Sequence, residues 1–203
     1  MANPTLGDGW YWELGNGFGF VCFAALLYLT LEGCSVGGGR LRYHRLIGYL
    51  ALFTLVAHSL WFLLGDPIVV EYLKPGSAVY MVLGLFALAL CLILVLTSII
   101  NARQKVYHGH TAFKLWHRYM AISLLFMSAA HIALSGFYFD TILQIGLLAA
   151  LVLAVVFAPL IPNTEHFRYL QIRPKTRRVW LKLSFFTFLI LAVFVIIRTG
   201  FGE

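Results

Sequence analysis

Charge is what this sequence has least of. Only 11% of its 203 residues are Asp, Glu, Lys or Arg, against 61% apolar residues, and the mean hydropathy is +0.87. A water-soluble domain of this length needs far more polar surface, so the composition implies an integral membrane protein. The three cysteines, Cys22, Cys34 and Cys91, lie in or beside apolar stretches with no CxxC or Cys–His grouping. That argues against a disulfide or zinc role and reads as small apolar filler. No GxGxxG follows a strand, so no nicotinamide or flavin domain is expected within the chain. No Ser–His–Asp order or HExxH helix is present, and paired carboxylates are missing from the apolar runs, which argues against a proton-pumping relay. The N-terminal MANPTLGDGWYWELGNG has no basic region before the apolar run, so it is not expected to be a signal peptide.

What remains is apolar sequence in six stretches long enough to span a bilayer: Gly15–Cys34, Leu46–Gly65, Ala78–Ile100, Leu115–Tyr138, Thr141–Ile161 and Val179–Ile197. The expected fold is all-α, one polytopic domain over residues 1–203 with six transmembrane helices. The cations sort to one side of these spans. Arg40, Arg42, Arg45, Arg103, Lys105, Lys114, Arg118, Arg168, Arg173, Lys175, Arg177, Arg178 and Lys182 share a face, and only Lys74 and Arg198 lie opposite. By the positive-inside rule the first face is cytoplasmic and both termini are outside. Topology accounts for the basic face, with no nucleic-acid partner implied. The longest inner connection, Pro162–Arg178, is polar and broken by prolines, which suits an interfacial loop. Trp10, Tyr11, Trp12, Tyr72, Tyr80, Phe137, Tyr138 and Phe139 gather on the outer side and read as headgroup anchors.

Two pairs of histidines stand out against this background: His44 with His58 in the second span, and His117 with His131 in the fourth, each pair 14 positions apart. Fourteen helical residues make nearly four turns and rise roughly 21 Å, so each pair shares one helix face. One imidazole then sits toward each side of a hydrocarbon layer roughly 30 Å thick. A weak internal repeat carries the pairs. YHRLIGYLALFTLVAHS from Tyr43 aligns without gaps on WHRYMAISLLFMSAAHI from Trp116, matching aromatic-His-Arg at one end and Ala-His at the other. Two spans lie one reversal apart, so these helices run the same way. His44 is then expected to face His117, and His58 to face His131.

Four ionisable groups in matched intramembrane pairs point to function. Facing imidazoles suit two stacked b-type haems between helices two and four, with the four histidines as axial iron ligands. Bis-histidine iron has no open position, which favours electron transfer over oxygen binding. Positions four and seven after each inner histidine lie on its face: Gly48 and Ala51, and Ala121 and Leu124. The small residues leave room for a flat macrocycle, or serve close helix packing. Leu124 is expected beside a ring edge or between the haems. Arg45 and Arg118, directly after the inner histidines, with Arg40 and Arg42 nearby, could pair inner propionates, or merely follow the positive-inside rule. The outer side has Lys74 and several hydroxyl-bearing aromatics but no arginine near the ligands, and no propionate partner is assigned there. His108, His110 and His166 read as solvated loop histidines. Asp8, Glu13, Asp66, Glu71, Asp140 and Glu203 against Lys74 and Arg198 make the outer face formally −4, a field that could attract cationic acceptors.

HRLIGYLALFTLVAHSLWFL together with FKLWHRYMAISLLFMSAAH resembles the ferric reductase-like transmembrane domain. That superfamily includes ferric reductases, NADPH oxidases and the haem membrane subunit serving a periplasmic methionine-sulfoxide reductase. The resemblance runs from about Gly15 to Ile161. It implies a six-helix haem b protein passing electrons outward, with ligands at His44, His58, His117 and His131. In many members a cytosolic flavin and nicotinamide domain follows the last shared helix, whereas here the chain crosses once more. It looks like the stand-alone bacterial form, in the inner (plasma) membrane. The donor would then be a separate cytosolic flavin reductase or flavoprotein, with a flavin at the cytoplasmic face or on that partner, or else quinol. The acceptor would be ferric iron, oxygen or a periplasmic redox protein. Two other readings stay open: a quinol-linked cytochrome b subunit, which also pairs histidines on its second and fourth helices, and a non-redox membrane carrier or haem transporter.

Overall fold

A computed structural model describes residues 10–32, 38–71, 73–74, 76–99, 106–107 and 109–158, and every regular element among them is helical. In chain order these are α1 (Trp10–Glu32), α2 (Gly38–Gly65), the short α3 (Pro67–Glu71), α4 (Val79–Ser98), α5 (His110–Ser135) and α6 (Ile142–Phe157). Helices α1, α2, α4 and α5 are each long and apolar enough to cross a membrane, and α6 is a shorter apolar helix. The protein is a multi-pass membrane protein. The expected sixth span at Val179–Ile197, the Pro162–Arg178 connection and the placing of both termini lie outside the described residues.

The helix limits differ from the apolar stretches in an instructive way. α2 begins at Gly38, not Leu46, and α5 at His110, not Leu115. Hydropathy marks the part of a helix that meets lipid, whereas backbone hydrogen bonding continues into polar turns beyond it. His44 and His117 therefore sit within helices with at least one turn on either side. α5 ends at Ser135, three residues before the apolar stretch does, because Gly136 adopts φ 68° and stops it. A glycine in the left-handed region is a common helix C-terminus, since it has no Cβ to strain there.

α6 opens with a capping box. The Thr141 hydroxyl accepts from the Gln144 backbone N–H at 3.3 Å, and Gln144 Oε1 accepts from the Thr141 N–H at 3.2 Å. Gln144 is buried, and its amide oxygen also accepts from the Asp140 N–H at 3.1 Å. Replacing Thr141 with Ala is expected to cost about 1 kcal/mol, readable as a lower unfolding midpoint in detergent with the spectrum of the protein unchanged.

The long helices pack as a ring. α1 lies along α2 and α4 along α5, while α1 meets α5 and α2 meets α4. α2 and α5 are thus at opposite corners, facing across the bundle without packing backbone to backbone. The centre is filled by Ala51 of α2 and by Leu124 and Leu125 of α5, all at most 1% exposed. Cys22 and Cys91 are buried in the same cluster. Phe53, Leu64 and Ile142 point outward, exposed to where lipid would lie.

The outer ends are tied by aromatic residues. Tyr11 Oη donates to the Trp61 carbonyl at 2.6 Å, Trp61 Nε1 donates to the Tyr11 carbonyl at 3.0 Å, and the two rings stack at 5.2 Å. Trp12 packs on Phe62 and Phe137, and Asn16 Nδ2 donates to Tyr138 Oη at 2.8 Å. Of the residues expected as headgroup anchors, Tyr11, Trp12, Phe137 and Tyr138 therefore join helices to one another. Periodicity cannot separate these two uses, because both put amphipathic rings at helix ends.

Candidate functional site

The fold brings the four histidines into two facing pairs. The His44 and His117 ring centres are 6.0 Å apart, and those of His58 and His131 are 6.3 Å apart. This is the cross-bundle arrangement expected from the 14-residue spacing and from parallel α2 and α5. Halfway between the two levels, on the same faces, lie Ala51 and Leu124, which together separate the pairs with a dry apolar layer. Leu124 is accordingly between the levels.

Each outer histidine is held from behind by a backbone carbonyl. His58 Nδ1 is 2.8 Å from the Gly15 carbonyl oxygen, and His131 Nδ1 is 2.7 Å from that of Tyr80. A carbonyl can only accept, so Nδ1 carries the hydrogen in both rings and Nε2 keeps its lone pair. That is the tautomer in which histidine binds a metal through Nε2, with a fixed orientation and raised basicity. On the inner side His117 Nδ1 lies 3.4 Å from Ser98 Oγ, which itself donates to the Leu94 carbonyl at 2.6 Å. Ser98 has spent its only hydrogen there, so His117 Nδ1–H is again the donor, across a longer and weaker bond.

The separations suit an iron atom between each pair. Two collinear metal–imidazole bonds of about 2.0–2.1 Å, with about 1.1 Å from each nitrogen to its ring centre, put the centres about 6.3 Å apart. Among the described residues no three His, Cys, Asp or Glu side chains group as a metal site. A bare ion would thus have two protein nitrogens only, whereas a haem brings its own four equatorial donors. The outer pair also opens on a cavity of about 150 Å³. Apolar side chains and the two imidazoles line it, with neutral polar groups that include Asn16, Ser59, Ser128, Ser135 and Tyr138. Burial pushes the Tyr138 hydroxyl above its ordinary range, against a lowering bond from Asn16, so it stays a neutral group at this rim.

Other residues singled out in the sequence fall as follows. A Cβ on Gly48 would meet nothing within 4 Å, so open space lies beside α2 one turn past His44. Ala51 is fully buried and Ala121 half-buried, while Arg45 and Arg118 are exposed beside the inner pair. The Lys74 ammonium pairs with Glu71 at 2.5 Å on the surface. His108 and His166 lie outside the described residues, and the side chain of His110 does as well.

Sequence reasoning passed over Gly19 of α1 and Gly84 of α4. A Cβ on Gly19 would come within 3.1 Å of the His58 ring, and one on Gly84 within 2.9 Å of the His131 ring. Glycine inside an apolar helix is a signal of close approach, but what approaches is set by a residue on the next long helix.

The family model for the ferric reductase like transmembrane component matches residues 17–109. That likeness covers a little under half of the chain. The match takes in His44 and His58 and stops before His117, so it is shorter than the Gly15–Ile161 stretch of the resemblance. No curated protein and no solved structure matches the chain. The likeness of this segment points to membrane redox chemistry.

Proposed function

We propose that this ferric reductase-like protein is a transmembrane electron conduit holding two b-type haems, one between His44 and His117 and one between His58 and His131. When bound, haem supplies a one-electron iron centre at each level, linking a cytosolic donor to an extracytoplasmic acceptor. The observation that carries the reading is the pair of facing imidazoles at 6.0 and 6.3 Å on helices that pack mainly against α1 and α4 and not against each other.

The chain's own residues have separable tasks. His58 and His131 present Nε2 to the cavity because Nδ1–H is committed to backbone carbonyls. With two histidines to hold it at each level, a haem would serve electron transfer, leaving substrate chemistry to the protein's partners. Ala51, Leu124 and Leu125 keep water out of the centre, which limits the reorganisation that accompanies charge movement. Arg45 and Arg118 put cations at the inner rim, suited to carboxylates and to a docking flavoprotein. The outer cavity offers neutral donors, Asn16 and Tyr138, in place of charge. A separate flavoprotein as donor, ferric iron, oxygen or a periplasmic redox protein as acceptor, and a bacterial inner membrane as location belong to the same proposal.

Haem stoichiometry tests it. Purified protein from haem-replete cells is expected to carry two haems b per chain by pyridine haemochrome, with low-spin bands in oxidised and dithionite-reduced spectra. One haem would leave a single pair in use and no complete path across the membrane. Well-folded protein without haem would return the histidines to a structural role and favour the carrier.

A further inference from the structure

The two outer histidines are seated by the same device, repeated in each half of the bundle. In α1 the carbonyl that holds His58 belongs to Gly15, and the close-approach glycine is Gly19, four residues on. In α4 the carbonyl that holds His131 belongs to Tyr80, and the close-approach glycine is Gly84, again four residues on. The offset has a physical cause. Within a helix the carbonyl of residue i accepts from the N–H of residue i+4, so the side chain at i+4 stands over that carbonyl. A carbonyl has a second lone pair, but a Cβ at i+4 blocks a ring from reaching it. Without the Cβ, an imidazole from the neighbouring helix can lie in the notch and donate.

We infer that Gly19 and Gly84 are positioning residues for the outer histidine pair: each opens the notch through which an imidazole donates Nδ1–H to the carbonyl four residues earlier, fixing Nε2 as the nitrogen turned to the cavity. The inference deepens the haem reading and rests on it for its redox consequence, though not for its geometry. The inner pair lacks the device where it can be compared, since His117 meets a serine hydroxyl at 3.4 Å instead of a carbonyl. The weak sequence repeat between α2 and α5 thus has a counterpart in their partner helices that alignment around the histidines does not reach.

Gly19→Ala and Gly84→Ala test it, with Gly17→Ala as the control because a Cβ there meets nothing within 4 Å. Losing a bond from Nδ1–H to a carbonyl makes the imidazole a poorer electron donor, which stabilises the ferric state less. The expected result is an upward shift in midpoint potential, or outright loss, of one haem in each variant, the other haem unchanged and G17A like the parent. Two haems with potentials unmoved in both variants would overturn the inference and leave the haem reading standing. If the parent itself proves haem-free, the haem reading fails and nitrogen-15 NMR of the histidine-labelled full chain decides the notch. Two Nδ1–H tautomers in the parent, one lost in each alanine variant, support it, and unchanged tautomers overturn it. Should G84A not accumulate, the double variant H131A/G84A should, because the ring that meets the new methyl is gone. Failure of the double variant where H131A alone accumulates would place the role of Gly84 in helix packing and overturn its part.

Discussion

His131→Ala is expected to lower the haem content from two per chain to one and to bring outward electron transfer down to background. The remaining haem should keep the spectrum and potential of the inner site. The ring it removes is one of two facing imidazoles at the outer level, and among the described residues no third His, Cys, Asp or Glu groups with them to replace it. Alanine also leaves the Tyr80 carbonyl with its helical partner alone, a small cost compared with the lost ligand. His58→Ala should give the same single-haem protein, and His44→Ala or His117→Ala the complementary one, in which the outer haem stays but cannot be filled from the cytosolic side. The pattern across the four variants is the test: retention of two haems in any one of them would remove that histidine from the ligand set. Because the two levels are separated by the buried Ala51–Leu124 layer, neither loss should propagate to the other through packing.

The sequence made much of this legible, and the reason lies in periodicity. Fourteen is close to a whole number of helical turns, so the pairing of His44 with His117 and His58 with His131 followed once both helices were given a direction. Hydropathy likewise located the spans, though it put the start of α2 at Leu46, eight residues past its first helical residue. What stayed hidden depends on the neighbour. Gly19 reads as one of three glycines in GNGFG, and nothing local separates it from Gly17, beside which there is open space. Its meaning comes from His58, on the next helix. Tyr11 and Trp61 show the same thing: as letters they are interfacial rings, and only the reciprocal bonds between them reveal a clasp. Lys74, in the sequence a lone outer cation among hydroxyl-bearing rings, pairs with Glu71, three residues before it.

Leu124→Ala should be the most destabilising core change, because of where the hole would open. In water such a substitution costs about 2–5 kcal/mol, part of it transfer of the lost methyl groups and part the cavity they leave. In a membrane the transfer part shrinks, since the alternative environment is hydrocarbon, and helix association rests largely on van der Waals packing. Leu124 is 1% exposed at the bundle centre, where α2 and α5 face each other without backbone contact that could close over a void. The dispersion and cavity terms therefore survive nearly whole, and a loss of about 2–3 kcal/mol is expected, toward the lower part of that range. Leu134→Ala, on the same helix but 58% exposed, should shift the unfolding midpoint hardly at all. The measurement is thermal or denaturant unfolding of both variants in the same detergent, with haem absorbance followed alongside. Equal small shifts would mean that the centre relaxes around the missing side chain, and the dry layer between the two levels would then depend on the haems, not on the protein's own packing.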